Sequence, residues 1–383
     1  MQLQTTQCAI ESAVKLAAGQ LSSAAKQVDD NAVFPKANIE ALAQEGLLGL
    51  VVPAEFGGLA ANSKTIASTV AAVASGCAST GMILVMHCCG IEAVSKHMSG
   101  ARRAEILSRA AKGVHLSSLA FSERGTGANF GATFSKSNKE QKGYSINGEK
   151  VFVTSGGHAD SYVISARSPG KDEVTTTSLY LIERGADGAS FEGEWLGVGL
   201  RGNSSIALKL NNCIVPPDAL LGEHEQGLSY AMGTVLPLFL LATASVYHGI
   251  AQAAFSSCVN HVKARTHAHN SEALSNIAQI RRVVGEMKVK LDSSQALIDR
   301  AAAARDNQAA EAPLLLMEAK QMSTEIANEI TKQAMHLCGG IAYTGALPLE
   351  RHMRDALAGD IMAPTSDMLL DMIGRCALGL PLG

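Results

Sequence analysis

Residues able to do chemistry are thinly spread along this chain of 383 residues. Near the C-terminus, Asp360 and Asp367 bracket Ala363 and Pro364 in the segment GDIMAPTSDML (359–369). The surroundings of this turn suit a functional acid, but its centre carries none. His267 and His269 form an HxH pair in a polar loop, THAHN (266–270). With no third ligand nearby, the pair reads as a solvated or interface loop rather than a metal site. His87 lies on an otherwise apolar stretch, MILVMHCCG, as either a satisfied core histidine or a polar group over a pocket. The segment SERGTG (122–127) taken alone is an ordinary turn, and Phe152 taken alone is a core aromatic. The eight cysteines show no repeated spacing and no CxxC pair, so they read as buried thiols of a reducing compartment.

The elements that must position these residues fall into three regions. A chain this long exceeds one compact core. Hydrophobic residues make up 47% and aromatics only 4%, which favours close helix packing. Net charge is −3 with scattered Lys and Arg, so no basic stripe points to nucleic acid or an anionic membrane. The N-terminus lacks the basic and apolar regions of a signal peptide, and no apolar run reads as a membrane span; a soluble cytoplasmic protein is expected. Residues 1–116 have the periodicity of helices, punctuated by Pro53 and several glycines. Residues 117–225 alternate in short runs and predict a compact antiparallel β domain, with Asn147-Gly148 as a hairpin turn. Residues 226–383 return to long helices, which predict a four-helix bundle.

Specific motifs narrow this α, β, α order. PKANIEALAQEGLLGLVVPAEFGG, LAFSERGTGANFGA, INGEKVFVTSGGHADSYVISAR, GLRGNSSIALKLNNCIVPPDALLGEHEQG and CGGIAYTGALPLERHMRDA occur in that order. Together they resemble the acyl-CoA dehydrogenase family over nearly the whole chain. The resemblance implies a multidomain α+β fold with an N-terminal helical domain, a middle β domain and a C-terminal bundle. It also implies FAD, an acyl thioester substrate, an electron acceptor, and homodimers or homotetramers. By resemblance, Leu119, Phe121, Ser122, Gly127 and Ala128 line the flavin, and Phe152, Val153 and Thr154 meet its ring. Ser122 can donate to the polar ring edge, and Phe152 and Thr154 are expected on one side of their strand. Arg265, His336, Gly339 and Gly340 correspond to the part of the flavin site shared across a subunit interface. Thr365 and Asp367 match positions near the flavin, and Arg354 with Asp355 reads as a structural ion pair.

The departures from the family pattern concern the base. Dehydrogenation of a thioester needs a carboxylate over the weakly acidic α-proton. The family's usual Glu position is Ala363 here, and the alternative position on the first bundle helix is Phe239. Asp360, Asp367 and His87 are the remaining candidates for a displaced base. The flavin's far end is altered too: THAHN follows Arg265, His336 replaces a common Gln, and Ala128 replaces a usual Ser. Each change loses or alters a donor, which suits a loosely held FAD or reduced flavin. Three readings follow. The first is an acyl thioester dehydrogenase. The second is a two-component monooxygenase that takes reduced flavin from a separate flavin reductase and uses oxygen. The third is a non-catalytic acyl- or flavin-binding relative.

Overall fold

A computed structural model describes residues 6–129, 131–269 and 271–381. Six helices come first: α1 Thr6–Leu16, α2 Ser22–Asp30, α3 Lys36–Gln44, α4 Ser63–Gly76, α5 Ala78–His97 and α6 Gly100–Ala111. Asn62 caps α4 by accepting the Thr65 amide at 2.9 Å. The Asp306 carboxylate takes the Ser63 amide at 3.0 Å and so ties this end to the C-terminal helices.

Eight strands follow: β1 Ser117–Ala120, β2 Lys136–Glu140, β3 Gly143–Val153, β4 Ser161–Arg167, β5 Thr177–Glu183, β6 Ala189–Glu192, β7 Ile206–Val215 and β8 Leu220–Leu221. Their order is β6-β7-β3-β2-β4-β5-β8, and β1 pairs with β4. The expected antiparallel sheet is therefore mixed: β1 runs parallel to β4, entering beside it directly from the helical region. The Asn147-Gly148 signal does not make the hairpin. The β2–β3 turn falls at Gln141 and Lys142, between the paired Glu140 and Gly143. Asn147 and Gly148 lie inside β3 at a register shift against β7, where Asn147 and Asn212 exchange hydrogen bonds of 3.1 and 2.8 Å. An Asn-Gly pair tolerates the backbone of a bulge as well as that of a turn.

The last region holds α7 Gly227–Tyr230, α8 Leu236–Ala264, α9 Ala278–Asp306, α10 Ala312–Cys338, α11 Gly340–Tyr343, α12 Leu349–Ile361 and α13 Ser366–Ala377. α8, α9 and α10 pack on one another, and α12 packs on α8 and α10. α8 and α10 run in the same direction. Leu240 and Leu241 meet Leu315 and Leu316 at one end, and the free thiols of Cys258 and Cys338 lie side by side at the other. Contrary to the sequence expectation, α5 and the continuous helix Gly227–Ala264 are long and apolar enough to cross a membrane. The most apolar 18-residue stretches of the two are 89% and 78% buried inside the fold, which accounts for their apolar character as core helices.

Candidate functional site

β3 carries the centre of the site. Between Lys150 and Val153 its register against β7 slips by one residue, and Phe152 takes a left-handed backbone with φ +55. The bulge breaks strand alternation. Phe152 is 66% exposed, while Val153 and Thr154 are buried. The expectation that Phe152 and Thr154 share a side is thus corrected. The Thr154 hydroxyl turns inward to Ser205 at 3.2 Å, and the Ser118 hydroxyl donates to its carbonyl at 2.7 Å. Ser155 has a buried hydroxyl without a hydrogen-bond partner among the described residues. Phe152 is not the core aromatic that its type alone suggests: it is 66% exposed, with the Trp195 ring roughly perpendicular to its own at 83° and the centroids 6.4 Å apart.

The loop after β1 sits alongside. Leu119 and Phe121 are buried, and Ser122 is half-buried with its carbonyl accepting the Val151 amide at 2.9 Å. Gly127 is exposed with φ +57, and Ala128 is half-buried. A network that the sequence reading missed anchors this loop. Glu123 is buried and accepts the Lys150 ammonium at 2.6 Å, the Phe134 amide at 2.6 Å, the Ser135 hydroxyl at 2.6 Å, and the Thr133 hydroxyl. Lys150 also reaches Thr133 at 3.1 Å and Ser165 at 3.2 Å. Burial pushes the Glu123 carboxyl up, but the adjacent ammonium and hydroxyl donors outweigh it and hold the group at about 2. The only signal in the sequence was a Lys at an inward-facing strand position.

The second set lies on the bundle. Arg265 caps the C-terminus of α8 and is exposed, as is His336 in the last turn of α10. Gly339 ends α10 with φ +63, and a Cβ on Gly339 or Gly340 would meet open space. These four share one end of the bundle. Asn270, the last residue of the THAHN loop, lies outside the described residues.

The turn after α12 is at the other end. The fully buried Lys320 donates to the carbonyls of Gly359 at 2.7 Å, Pro364 at 2.9 Å and Met362 at 3.3 Å. Ala363 in that turn and Phe239 on α8 are half-buried. Thr365 caps α13, and Asp367 is exposed in its first turn. Asp360 is exposed and held by Asn328 and Ser366, each at 2.8 Å. The nineteen residue steps from Lys320 to Gly339 span about 28 Å of helix rise.

His87 resolves as the core histidine. Its Nδ1 accepts the Ser117 amide at 3.0 Å, so Nε2 donates to the Leu48 carbonyl at 2.8 Å. Burial lowers it to about 4, leaving it neutral and fully occupied. Arg354 and Asp355 do not pair with each other. Arg354 clamps Asp29 at 2.9 and 2.5 Å, while Asp355 accepts the Leu200 amide at 2.6 Å. Neighbours on a helix diverge by about 100°, so each finds a partner on a different domain.

Three family models match in the same order: acyl-CoA dehydrogenase N-terminal domain over residues 4–114, middle domain over 118–213, and C-terminal domain over 225–378. The chain belongs to the acyl-CoA dehydrogenase family. Among curated acyl-CoA dehydrogenase relatives, the human mitochondrial short-chain specific acyl-CoA dehydrogenase is 29% identical over 366 residues, covering 95% of this chain and 88% of the relative. The solved butyryl-CoA dehydrogenase of Megasphaera elsdenii superposes with a TM-score of 0.92 at 22% identity, over 99% of this chain and 98% of that one. A structure of PigA with FAD and proline superposes with a TM-score of 0.89 at 20% identity, over 98% and 97%. Both share this three-domain fold. Members of the acyl-CoA dehydrogenase family are flavin-dependent oxidoreductases with FAD as cofactor, and this chain is an enzyme of that kind.

Proposed function

We propose that this chain binds FAD between two copies of itself and oxidises an acyl thioester across its Cα–Cβ bond. The observation that carries the reading is the outward Phe152 ring on the β3 bulge, with the Ser122 loop joined to the same strand by the Val151 amide and, three residues on from Phe152, a buried Ser155 hydroxyl that has no partner among the described residues. An exposed aromatic face next to hydroxyl and amide donors is what a flavin ring requires. FAD supplies hydride acceptance, and the chain supplies the orienting surface. Gly339 lies about 28 Å of helix rise from Lys320, and Arg265, His336 and Gly340 share its end of the bundle. That spacing supports their serving the far end of a second copy's FAD, and hence a homodimer or homotetramer.

Neither position that the resemblance assigns to the base holds a carboxylate, since these are Ala363 and Phe239. Of the three candidates for a displaced base, Asp360 is engaged on the surface by Asn328 and Ser366, Asp367 is exposed in the first turn of α13, and His87 is engaged in the core. This favours a second reading, a monooxygenase of the same fold that uses reduced flavin and oxygen and needs no such base. The test is spectroscopic. Yellow protein as purified, bleached anaerobically by a short-chain acyl-CoA without a reductase, supports the dehydrogenase. Oxygen uptake only with supplied reduced flavin supports the monooxygenase. Absence of flavin binding in both redox states overturns the proposal.

A further inference from the structure

We propose that Trp195 is a positioning residue for Phe152, and that the segment 193–200 carries support from the C-terminal bundle to the flavin-facing ring. This rests on the reading above that Phe152 meets the flavin. Phe152 projects from a bulge with most of its ring exposed, and Trp195 is the aromatic partner it has among the described residues. A ring on a freely turning side chain is a poor platform. An edge-to-face neighbour removes part of that freedom.

Trp195 is itself fixed. Its indole Nε1 donates to the Leu200 carbonyl at 2.9 Å. Gly197 passes so close to the indole that a Cβ there would lie 2.4 Å from it. The segment is in turn fastened to α12. Asp355 takes the Leu200 amide at 2.6 Å, and Arg354 donates to the Val198 carbonyl at 2.9 Å. A Cβ at Gly199 would lie 2.2 Å from the Arg354 carbonyl oxygen, so the two backbones touch. An unbroken series of contacts therefore runs from the Arg354–Asp29 clamp through Val198, Leu200 and Trp195 to Phe152. The apolar side chains of Leu196 and Val198 stay exposed, 79% and 66%, so apolar burial is not what holds the segment in place.

Trp195 is the chain's one tryptophan, so its fluorescence reports on this spot alone. Flavin-depleted protein is titrated with FAD, following the indole emission in the variants that keep Trp195 and the flavin absorption band in all of them. Wild type quenches as FAD binds. Trp195→Leu weakens FAD binding about tenfold and shifts the flavin band. Trp195→Phe, which keeps a ring beside Phe152 but loses the Nε1 donor to Leu200, restores both in part. Phe152→Leu gives the same loss, and the double variant is no worse than either single one, because the two act as a unit. Wild-type affinity and band position in Trp195→Leu, with both altered in Phe152→Leu, would overturn the positioning role alone. An unaffected Phe152→Leu overturns it together with the assignment of Phe152. If Trp195→Leu does not fold, Gly197→Ala decides in the same terms, since it displaces the indole but keeps it.

Discussion

The Lys150 ammonium lies 2.6 Å from the Glu123 carboxylate with both side chains withdrawn from solvent. The pair joins the loop after β1 to the centre of β3, so it fixes Ser122 relative to Phe152. Its charges are compensated locally: the carboxylate has hydroxyl and amide donors besides the ammonium. Removing one partner strands a buried charge. Lys150→Met is expected to destabilise the protein by about 3–5 kcal/mol in urea unfolding. The double variant Glu123→Gln/Lys150→Met should recover part of that loss; equal losses in single and double variants would contradict the pairing.

The same pair sets part of the acid response. Glu123 is held at about 2, below its ordinary 4.5. A depressed carboxyl contributes stability that is present above the unfolded value and is lost as pH falls from about 4.5 toward 2. His87 and His248 are lowered to about 4 by burial and must charge on unfolding, so their contribution is lost between about 6.5 and 4. Melting temperature should therefore decline in two stages on acidification. Glu123→Gln should shrink the lower one, to which His352, lowered by burial to about 3, also contributes; calorimetry across pH checks this.

Asp355 works in the opposite sense. Burial, opposed by the Leu200 amide, raises it from 3.8 to about 6. The folded state then binds the proton more tightly than the unfolded chain, so stability falls as pH rises from about 3.8 to 6. The rise from 3.8 to about 6 corresponds to roughly 3 kcal/mol at neutral pH. Asp355→Asn retains an acceptor for Leu200 and should melt higher than wild type at neutral pH, with the gain vanishing near pH 4. A gain that is independent of pH would contradict this origin.

The turn that Lys320 holds retains its scaffold although its centre is alanine. Ala363→Glu is expected to create or raise dehydrogenase activity, seen as faster anaerobic bleaching of the flavin by a short-chain acyl-CoA. No gain, with flavin and acyl-CoA both bound, would count against an inherited thioester pocket.

Lys320→Met should disturb that same turn. Three carbonyl oxygens would lose their donor inside the fold, at about 1–3 kcal/mol for each one left unsatisfied. The expected result is a lower melting temperature and, in the Ala363→Glu background, loss of the gained activity. A double variant as active as Ala363→Glu alone would separate Lys320 from the turn's geometry.

The sequence by itself determined the order of helical, β and helical regions, because hydrophobic period and turn residues are local properties. It also determined the family, because five motifs keep their order along the chain, and the lack of a carboxylate at residues 239 and 363, because residue identity needs no coordinates. Tertiary structure decided what depends on partners distant in sequence. Asn147-Gly148 became a bulge because β7 lies against it, and β1 found β4 in parallel. Arg354 met Asp29 and not its neighbour, His87 was consumed by Leu48 and Ser117, and Lys150 met Glu123. Phe152 faces outward because one extra residue in β3 reversed the alternation that strand periodicity predicts. Local pattern encodes which elements form. Packing between elements far apart in sequence selects each side chain's partner, so the geometry of the site could not be read from the sequence.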